Sequence, residues 1–312
     1  MKKPKVYILS AVHNDLEDTK RLLTSIYKQT YENFEVCLVD DGSTDETDIY
    51  LNKYYPSVKV IKGNGKLWWT GCMYKALEYV SNNAKKEDFF LTINNDCTFL
   101  PDYLSNIVKE GILHENSVIG SVSISKNDGN RIVDSGALFN WKRGRVSKAG
   151  FNFIKDIPRN YKYDDGVDAL STRGTLFPVQ IIKKIGNFDK KHFPHYISDF
   201  EYTSRAKKHG YKLIVSYSCL IYNDDRRTGF SGPSNKQISF SQLGKIMFDR
   251  KSRINIVDHF NFVYICCPWY LQPLNYFYLI AKFCYLVSFL PLFFPFRRPL
   301  VYLRKRLLFG VK

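Results

Sequence analysis

Short apolar runs alternate with amphipathic segments over the first hundred residues of the chain. Four of the runs have the length of buried strands, and polar or amphipathic segments with helical spacing separate them. The predicted strands are Lys5–Ser10, Phe34–Val39, Val58–Ile61 and Phe89–Ile93, and the predicted helices are Asp15–Gln29, Thr44–Tyr55 and Gly71–Asn82. Such alternation is typical of a parallel sheet covered by helices. We therefore predict that residues 1–115 form an α/β layer of the kind that binds nucleotides.

The pattern changes after residue 115. Short strand-like runs are now separated by Gly, Asn and Asp, which favour turns. The predicted strands are Ser117–Ser123, Arg131–Phe139, Val167–Phe177 and Tyr211–Ser216, and the predicted helix is Ser198–His209. We assign residues 116–244 to a second half of the same domain. The expected fold class is therefore α/β, with a mostly parallel central sheet flanked by helices.

Residues 245–312 form a third region, which is both basic and apolar. They contain 11 Lys or Arg and 2 Asp, and so carry +9 of the net charge of +16. Within them, Tyr276–Phe296 has 21 residues and one charge, Lys282. As a helix this stretch would span about 31 Å, the thickness of a bilayer core. Prolines interrupt it or the segment before it, at Pro268, Pro273, Pro291 and Pro295.

The prolines favour a helix lying in a membrane interface, or a shallow hairpin, over a helix that crosses the bilayer. Basic residues near an anionic surface each contribute roughly 1 kcal/mol. We predict that residues 245–312 are a helical extension that associates with an anionic membrane surface. The alternative is an aromatic helical pair packed on the main domain. The basic residues cluster with apolar runs rather than in a polar stripe, so nucleic acid is not an expected partner.

The seven cysteines are scattered, odd in number and without a Cys-x-x-Cys pair. This favours reduced, buried thiols in a cytosolic protein. The sequence Met1-Lys2-Lys3-Pro4 leads straight into a predicted strand and has no apolar signal segment. The expected location is therefore cytoplasmic, on the inner face of the cell membrane.

Polar side chains follow two of the predicted strands. Asp40 and Asp41 come at the end of the second strand, and Asn94-Asn95-Asp96 follows the fourth. The carboxyl ends of strands are where open α/β sheets bind ligands. Carboxylate and amide oxygens there can bind a hard divalent ion. The alternative for both segments is an ordinary turn. The turn after the first strand, Ser10–Asn14, has no Gly, which argues against a dinucleotide-binding enzyme.

Two further segments carry candidate chemistry. The first is the predicted loop from Gly63 to Gly71, where Trp68 and Trp69 offer flat faces for a base or a sugar. A buried tryptophan anchor is the alternative for one of them. The second is the start of the predicted helix at Ser198, where Asp199 could be a general base or a simple helix cap.

In their order and spacing these motifs resemble the family 2 glycosyltransferases, which have the GT-A fold. The resemblance runs from Lys5 to about Asn223, and the stretch from Ser25 to Asp45 is very similar to the opening of the family. It implies that the backbone around Ala11 and His13 receives the nucleotide base. It also implies that Asp41, with Asp40 beside it, accepts a hydrogen bond from the base imide. The donor-binding set further includes Asn64, Gly65, Trp68 and Trp69.

The resemblance also assigns a metal site and a catalytic base. Asn94-Asn95-Asp96 takes the place of the Asp-x-Asp motif of the family, which makes Asp96 a ligand of Mg²⁺ or Mn²⁺ and places Asn95 near the ribose or sugar. Asn94 replaces the first acid of that motif, and Asn223 falls near a metal-binding His of many members. Arg173 and Gly174 match a segment that lines the donor-sugar and acceptor pocket. Asp199 is the implied catalytic base.

The family motif Gln-x-x-Arg-Trp, which marks processive polymer synthases, is missing from the sequence. We therefore expect one sugar to be added per encounter, with inversion. The loop and the Asn-Asn-Asp variant are similar to bacterial enzymes of capsule or lipopolysaccharide assembly, including rhamnosyltransferase-like members. The implied donor is a UDP- or dTDP-linked sugar, and the implied acceptor is a glycan or a polyprenyl-diphosphate-linked oligosaccharide. The main alternative is a non-catalytic relative that binds glycan or membrane, and a nucleotidyltransferase is a second.

Overall fold

The computed structural model describes residues 3–224, 244 and 246–292. The chain divides into two compact units. The first contains Met1–Asn140 and Arg145–Thr228, and the second contains Trp141–Gly144 and Gly229–Lys312.

The first half of the first unit alternates strands and helices, as the sequence predicts. The elements are β1 (Val6–Val12), α1 (Leu16–Ile26), β2 (Phe34–Asp40), α2 (Thr47–Tyr54), β3 (Lys59–Lys62), α3 (Trp68–Asn83), β4 (Phe89–Thr92), β5 (Cys97–Thr98) and α4 (Tyr103–Leu113). Strands β4, β1, β2 and β3 lie side by side in this order and are parallel.

The second half of this unit extends the sheet and makes it mixed. Its elements are β6 (Ser117–Ser125), β7 (Ile132–Asp134), β8 (Ala137–Asn140), β9 (Arg145–Lys148), β10 (Tyr163–Asp164), β11 (Thr175–Pro178), α5 (Gln180–Ile185), α6 (Ser198–Lys208) and β12 (Lys212–Asn223). The main sheet has the order β10-β12-β6-β11-β4-β1-β2-β3, with β5 paired to β12 and β7 to β6. Strand β11 is antiparallel to both β4 and β6, whereas β12 is parallel to β6. The hairpin β8–β9 is a separate sheet.

Both faces of the main sheet are covered. Successive residues of a strand point to opposite faces, so Leu9 of β1 joins one hydrophobic cluster and Ile8 joins the other. The cluster with Leu9 includes residues of α3 and α6, such as Leu77 and Tyr202. The cluster with Ile8 includes residues of α1 and α4. This two-sided burial explains why the strands read as nearly continuous apolar runs.

Several predicted elements differ in extent from those observed. The strand predicted at Arg131–Phe139 is divided into β7 and β8, because Gly136 between them has a φ of +86°. The strand predicted at Val167–Phe177 is reduced to β11, since Gly174 before it also has a positive φ, of +68°. The helix predicted from Thr44 begins only at Thr47, because Glu46 before it has a φ of +63°, which lies outside the helical region.

Among the described residues of the second unit are the helices α7 (Ile256–Cys266) and α8 (Gln272–Leu292), with a 3₁₀ turn at Trp269–Leu271 before α8. The Asn255 side chain caps α7 by accepting from two backbone N–H groups. The prediction that Pro273 breaks the segment was wrong, because Pro273 is the second residue of α8, where no helical hydrogen bond needs its missing N–H. The helix also continues through Pro291, whereas Pro295 lies outside the described residues.

None of the helices in the described ranges is both long and apolar enough to cross a membrane. Six of the seven cysteines are buried, as predicted, and Cys284 on α8 is exposed.

Candidate active site

The predicted site residues gather at one edge of the main sheet. Strands β1 to β4 are parallel, so their carboxyl ends meet there. Thr175 at the start of the antiparallel β11 lies opposite Thr92 at the end of β4, which brings Arg173 to the same edge. Asn223 at the end of β12 pairs with Cys97, the residue after Asp96. The topology thus unites residues that are far apart in the sequence.

Asp41 is buried, and three backbone N–H groups of the next loop donate to its carboxylate. Its Oδ1 accepts from Gly65 at 2.8 Å, and its Oδ2 accepts from Leu67 at 2.9 Å and from Trp68 at 3.0 Å. The last two groups belong to the N-terminus of α3, where backbone N–H groups have no partner within the helix. Asp41 is therefore the cap of α3, supplied from another element of the fold.

This cap overturns the predicted boundary of the loop. Residues 63–71 were expected to form a loop and the helix was expected to begin at Gly71, but α3 begins at Trp68. The side chain of the N-cap residue Leu67 accepts no hydrogen bond from the helix, so the local sequence carries no capping signal for the start of α3. An ionised carboxyl group has about four acceptor positions, and three are in use. One remains for a ligand donor such as a base imide.

The loop after β3 depends on glycine where it passes Asp41. A Cβ on Gly63 would lie 2.5 Å from Asp41 Oδ1, and a Cβ on Gly42 would lie 3.0 Å from the Gly65 nitrogen. Such contacts are too short for any larger residue. Asn64 at the tip is exposed, and its Oδ1 accepts from Lys66 N at 3.0 Å. The loop is therefore closely seated on the end of β2, with Asn64 and Gly65 exposed at its tip.

The residues expected around the nucleotide base differ in burial. Asp40 is buried, and its Oδ2 lies 2.8 Å from Lys62 Nζ. Burial acts to raise the pKa of Asp40, but the hydrogen bonds from Lys62 and Ser43 hold it below its usual value. His13 is exposed, and its Nδ1 donates to the Asp41 carbonyl at 2.7 Å. Ala11 is half-buried on β1. Asp40 is thus satisfied within the protein, whereas the His13 ring is accessible.

The two adjacent tryptophans have different environments. Trp69 Nε1 donates to Asn94 Oδ1 at 3.1 Å, and its ring meets Phe188 edge to face at 5.6 Å. Trp69 is therefore an anchor between α3 and the turn after β4. Trp68 has a φ of +59°, which is rare for a residue with a large side chain, and its ring centroid lies 5.5 Å from that of His195. Trp68 thus faces the segment that precedes α6.

Asp96 is half-buried in a tight turn, where Cys97 N donates to Asn94 O at 3.2 Å. Burial raises the pKa of the Asp96 carboxyl, and the positive charges of Arg173 and Lys126 oppose this rise. Lys126 also donates from Nζ to the Asp96 backbone carbonyl at 2.6 Å. Asn95, between Asn94 and Asp96, is half-buried as well. Asp96 is therefore a carboxylate whose charge the protein neutralises only in part.

Arg173 is the cation that interacts with three carboxylates of the site. Its Nη1 lies 3.6 Å from Asp134 Oδ2. Burial acts to lower the pKa of Arg173, but the charges of Asp134, Asp199 and Asp96 raise it above its usual value. Asp134 is not among the predicted site residues, because it falls inside the strand predicted at Arg131–Phe139. The Ser135-Gly136 pair that follows was the available sign that the strand ends there.

Gly174 has a structural part in this arrangement. Its φ is +68°, and a Cβ there would lie 2.6 Å from Tyr103 Oη and 2.9 Å from Ser121 Oγ. The residue is buried, and its carbonyl accepts from Ser121 Oγ at 2.6 Å. Packing therefore requires glycine at this position, and this fixes the backbone that carries Arg173.

Asp199 is the second residue of α6. Burial raises its pKa to about 6, although the Phe200 N–H and Arg173 lower it. The residue before the helix, Ile197, has a φ of +67°, an outlier for a β-branched side chain. Such strain persists only where the surroundings enforce it, and it concentrates at functional sites. Asp199 is therefore a carboxyl group that exchanges its proton close to neutral pH.

Packing and ion pairs fix the start of α6. Arg205 on α6 donates from Nε to Glu201 Oε1 at 2.7 Å and from Nη2 to the Asn187 carbonyl at 3.0 Å. The rings of Phe188 and Tyr202 stack with centroids 4.1 Å apart. These contacts join α6 to the turn at residues 186–189, and Phe188 also packs on Trp69. The helix that carries Asp199 is thereby connected to the N-terminus of α3.

Of the three described residues predicted as metal ligands, Asp96 alone has a carboxylate for a divalent cation. Asn94 Oδ1 already accepts from Trp69, and Asn223 Oδ1, which is fully buried, accepts from Ser123 Oγ at 2.7 Å. In the part of the chain that the structure describes, no group of three His, Cys, Asp or Glu side chains could hold a metal ion. Mg²⁺ is often bound through one or two carboxylates with substrate phosphates and waters. The partly neutralised Asp96 fits this arrangement.

Comparison with known proteins gives a family match over more than half of the chain. The model of the family described as Glycosyl transferase family 2 matches residues 7–185. An uncharacterized glycosyltransferase of Rickettsia typhi is 31% identical over 104 residues, which are 33% of this chain and 30% of that protein. The chain thus matches less than a third of the length of this curated relative.

Solved structures share the fold at low sequence identity. The crystal structure of S. aureus TarS 1–349 in complex with UDP-GlcNAc is 17% identical, with a TM-score of 0.58, and the match covers 93% of this chain and 91% of that one. The mannosyltransferase PcManGT from Pyrobaculum calidifontis, in complex with GDP-Man and Mn²⁺, is 15% identical, with a TM-score of 0.56 and coverage of 94% and 73%. These matches confirm the predicted α/β fold of the GT-A type.

Proposed function

The chain belongs to glycosyltransferase family 2, and we propose that it transfers one sugar per encounter, with inversion, from a nucleoside-diphosphate sugar to an acceptor hydroxyl, with Asp199 as general base. The observation that carries this proposal is the position of Asp199. It lies at the strained start of α6, within the electrostatic reach of Arg173, which also interacts with Asp96. A proton acceptor and a metal-ligand candidate are thus near the same cation at one sheet edge.

The chemistry of Asp199 follows from the weakness of a hydroxyl nucleophile. The Asp199 carboxylate takes the proton of the acceptor hydroxyl as its oxygen attacks the anomeric carbon. The bond from that carbon to the diphosphate oxygen breaks on the opposite side, which inverts the anomeric centre. With its pKa near 6, Asp199 is mostly ionised at pH 7 and is a stronger base than an ordinary aspartate.

Asp96 would hold Mg²⁺ or Mn²⁺ together with diphosphate oxygens of the donor and water. When bound, the ion stabilises the negative charge that develops on the leaving nucleoside diphosphate. The Arg173 guanidinium adds positive charge to the same region, whereas Asn94 and Asn223 each have an oxygen that already accepts one hydrogen bond. We assign the metal to Asp96, with the amides as neighbours.

The donor end of the site is the region around Asp41. Its remaining acceptor position can take the imide N–H of uracil or thymine, which supports a UDP- or dTDP-linked sugar as donor. The His13 ring bonds the Asp41 carbonyl, Ala11 lies opposite Val39 on the neighbouring strand, and Gly65 of the loop after β3 donates to Asp41. Two structural neighbours, TarS and PcManGT, hold UDP-GlcNAc and GDP-Man in their solved complexes, which supports a nucleotide sugar in general.

The acceptor is proposed from the motif resemblance. The loop from Asn64 to Gly71 and the Asn94-Asn95-Asp96 variant are similar to capsule and lipopolysaccharide enzymes of bacteria, including rhamnosyltransferase-like members. We therefore propose a glycan or a polyprenyl-diphosphate-linked oligosaccharide as acceptor, in the synthesis of a cell-surface polysaccharide on the cytoplasmic side of the membrane.

A thermal-shift panel tests the donor site without knowledge of the acceptor. UDP, dTDP, GDP and CMP, and their common sugar conjugates, are each added with and without Mn²⁺. We expect one nucleotide class to raise the melting temperature, with an increase that depends on Mn²⁺. Asp96→Asn should lose the Mn²⁺ dependence, whereas Asp165→Asn, at an exposed position, should retain it.

If none of the nucleotides shifts the melting temperature, the result would contradict a transferase site and would support the non-catalytic alternative. A shift that is the same in wild type and Asp96→Asn would contradict the metal assignment alone. The two results are distinguishable in the same panel.

A further inference from the structure

Helix α8 in the second unit exposes a face made only of uncharged, mostly apolar residues. The positions recur every three or four residues, with two adjacent pairs among them, and each is exposed: Tyr270, just before the helix, and Pro273, Leu274, Phe277, Ile280, Ala281 and Cys284. We call these residues the outer face of α8. It extends over about 21 Å at 1.5 Å per residue.

The opposite side of the same helix is already buried. Asn275 and Phe283 are buried, and the Asn275 side chain donates to the Trp141 and Leu271 carbonyls at 2.8 and 2.9 Å. A surface helix normally places charged and polar residues on the side away from the core. The outer face of α8 has no charged residue, although Phe277 keeps 64% of its surface exposed. An apolar face of this size marks an interaction surface.

The aromatic residues at the start of this face indicate what covers it. Trp269 and Tyr270, in the turn before α8, are 81% and 64% exposed. Trp and Tyr are enriched where a protein meets the boundary between lipid and water, because their rings are apolar with one polar group. The chain after α8 supplies a matching charge, with six Lys or Arg and no acidic residue in positions 293–312. Anionic lipid headgroups complement that charge.

We infer that the outer face of α8, with Trp269, docks in the plane of an anionic phospholipid bilayer. The helix lies in the membrane interface and does not cross the bilayer, which agrees with the absence of a membrane-crossing helix from the described ranges. The acidic residues of this region are few, Asp249 and the buried Asp258, so they oppose the approach of the lipid surface only weakly. The inference rests on the second unit and does not depend on glycosyl transfer.

Binding of the full chain to lipid vesicles tests this inference. The vesicles contain phosphatidylcholine alone or mixed with phosphatidylglycerol, and the bound fraction is measured by co-sedimentation. We expect binding to the anionic vesicles, weaker binding at high salt and little binding to phosphatidylcholine alone. Phe277→Glu and Trp269→Ser should each weaken binding by at least about tenfold, since each removes a large apolar side chain from the lipid contact.

Leu113→Glu is the matched control, because Leu113 is 67% exposed on α4 of the first unit. It should bind vesicles as the wild type does. Trp269→Phe should also abolish any blue shift of tryptophan fluorescence on binding, while Trp68, Trp69 and Trp141 remain. Circular dichroism melts confirm that each variant is folded.

Three results would overturn the inference. The first is a failure of the wild-type protein to bind anionic vesicles, which would mean that another part of the chain covers the outer face of α8. The second is equal binding by the wild type and Phe277→Glu. The third is concentration-dependent dimerisation in light scattering that Phe277→Glu abolishes, without vesicle binding, which would make the face an interface between two copies.

Discussion

The two ends of the sheet edge treat their carboxylates differently. Beside β2, the protein itself satisfies both acids: Asp40 pairs with a lysine, and Asp41 accepts from three backbone N–H groups. Beside β4 and β11, Asp96 and Asp199 interact with the same cation, Arg173, and burial raises the pKa of each. The first end uses its acids to build the fold, and the second keeps acids that the fold does not neutralise.

This difference supports the proposal that the two ends have different parts in the reaction. A carboxylate with fixed internal donors gives rigidity, and it leaves little capacity for a ligand. A carboxylate that burial destabilises is one that a metal ion or an incoming proton stabilises. On the proposed assignment, the donor end is therefore preformed, whereas the end with Asp96 and Asp199 gains stabilisation only when cations and substrates arrive. Four predictions test this contrast, in order of decreasing effect.

The largest effect is expected for Asp199→Asn. Loss of a general base should lower the rate of sugar transfer, or of donor hydrolysis to water, by at least about 100-fold. The thermal shift with the donor nucleotide should persist, since Asp199 lies at the catalytic end. Asp165→Asn is the control and should keep full activity. Normal turnover of Asp199→Asn would remove the residue from this role.

Asp41→Ala should reduce stability by about 2–3 kcal/mol in urea denaturation, because three backbone donors lose a charged acceptor. It should also unfold the start of α3, with faster hydrogen exchange at Leu67 and Trp68. Asp165→Ala should change stability by no more than about 0.5 kcal/mol. A decrease in activity at unchanged stability would instead mean that Asp41 serves the ligand and not the fold.

The difference in stability between Asp199→Asn and the wild type should also depend on pH, and it should favour the variant more at alkaline pH than at acidic pH. The folded Asp199 has a pKa near 6, against 3.8 as the reference value, so the folded state binds this proton more tightly than the unfolded state. Its contribution to stability is complete below about pH 4 and is lost as the pH rises through about 6. The variant lacks this loss, so its free energy of unfolding relative to that of the wild type should rise by about 1–2 kcal/mol between pH 4 and pH 8 in urea denaturation. The absence of a pH-dependent gain in stability would contradict the burial of a charged Asp199.

The smallest effect concerns Asp134, whose negative charge raises the pKa of Asp199. Asp134→Asn should lower that pKa and move the acidic limb of the pH–activity profile to lower pH by a few tenths of a unit, on the scale of a partly screened charge. Asp128→Asn, at an exposed position, should leave the limb unchanged. A shift of the acidic limb to higher pH in Asp134→Asn would contradict the proposed effect of the Asp134 charge on Asp199.

Much of the fold could be predicted, since the hydrophobic runs of β1, β2 and β4 record burial on both faces of the sheet. The gathering of Asp41 and Asp96 at one edge followed from the parallel order of those strands. The cap that Asp41 gives to α3 could not be predicted, because its acceptor and donors are about 25 residues apart and meet only after β2 and β3 pair. Asp134 was missed for the same reason, since its partner Arg173 lies on the other side of a turn-rich region.

The most direct test of the central contrast is the titration of Asp199 itself. The carboxyl carbons of aspartate are labelled with ¹³C, and the Asp199 resonance is assigned by its absence from the spectrum of Asp199→Asn. We expect this resonance to titrate with a pKa near 6 in the protein without ligands. A titration near 4, the ordinary value for aspartate, would mean that the fold does not hold Asp199 as a poised base, and would contradict the account.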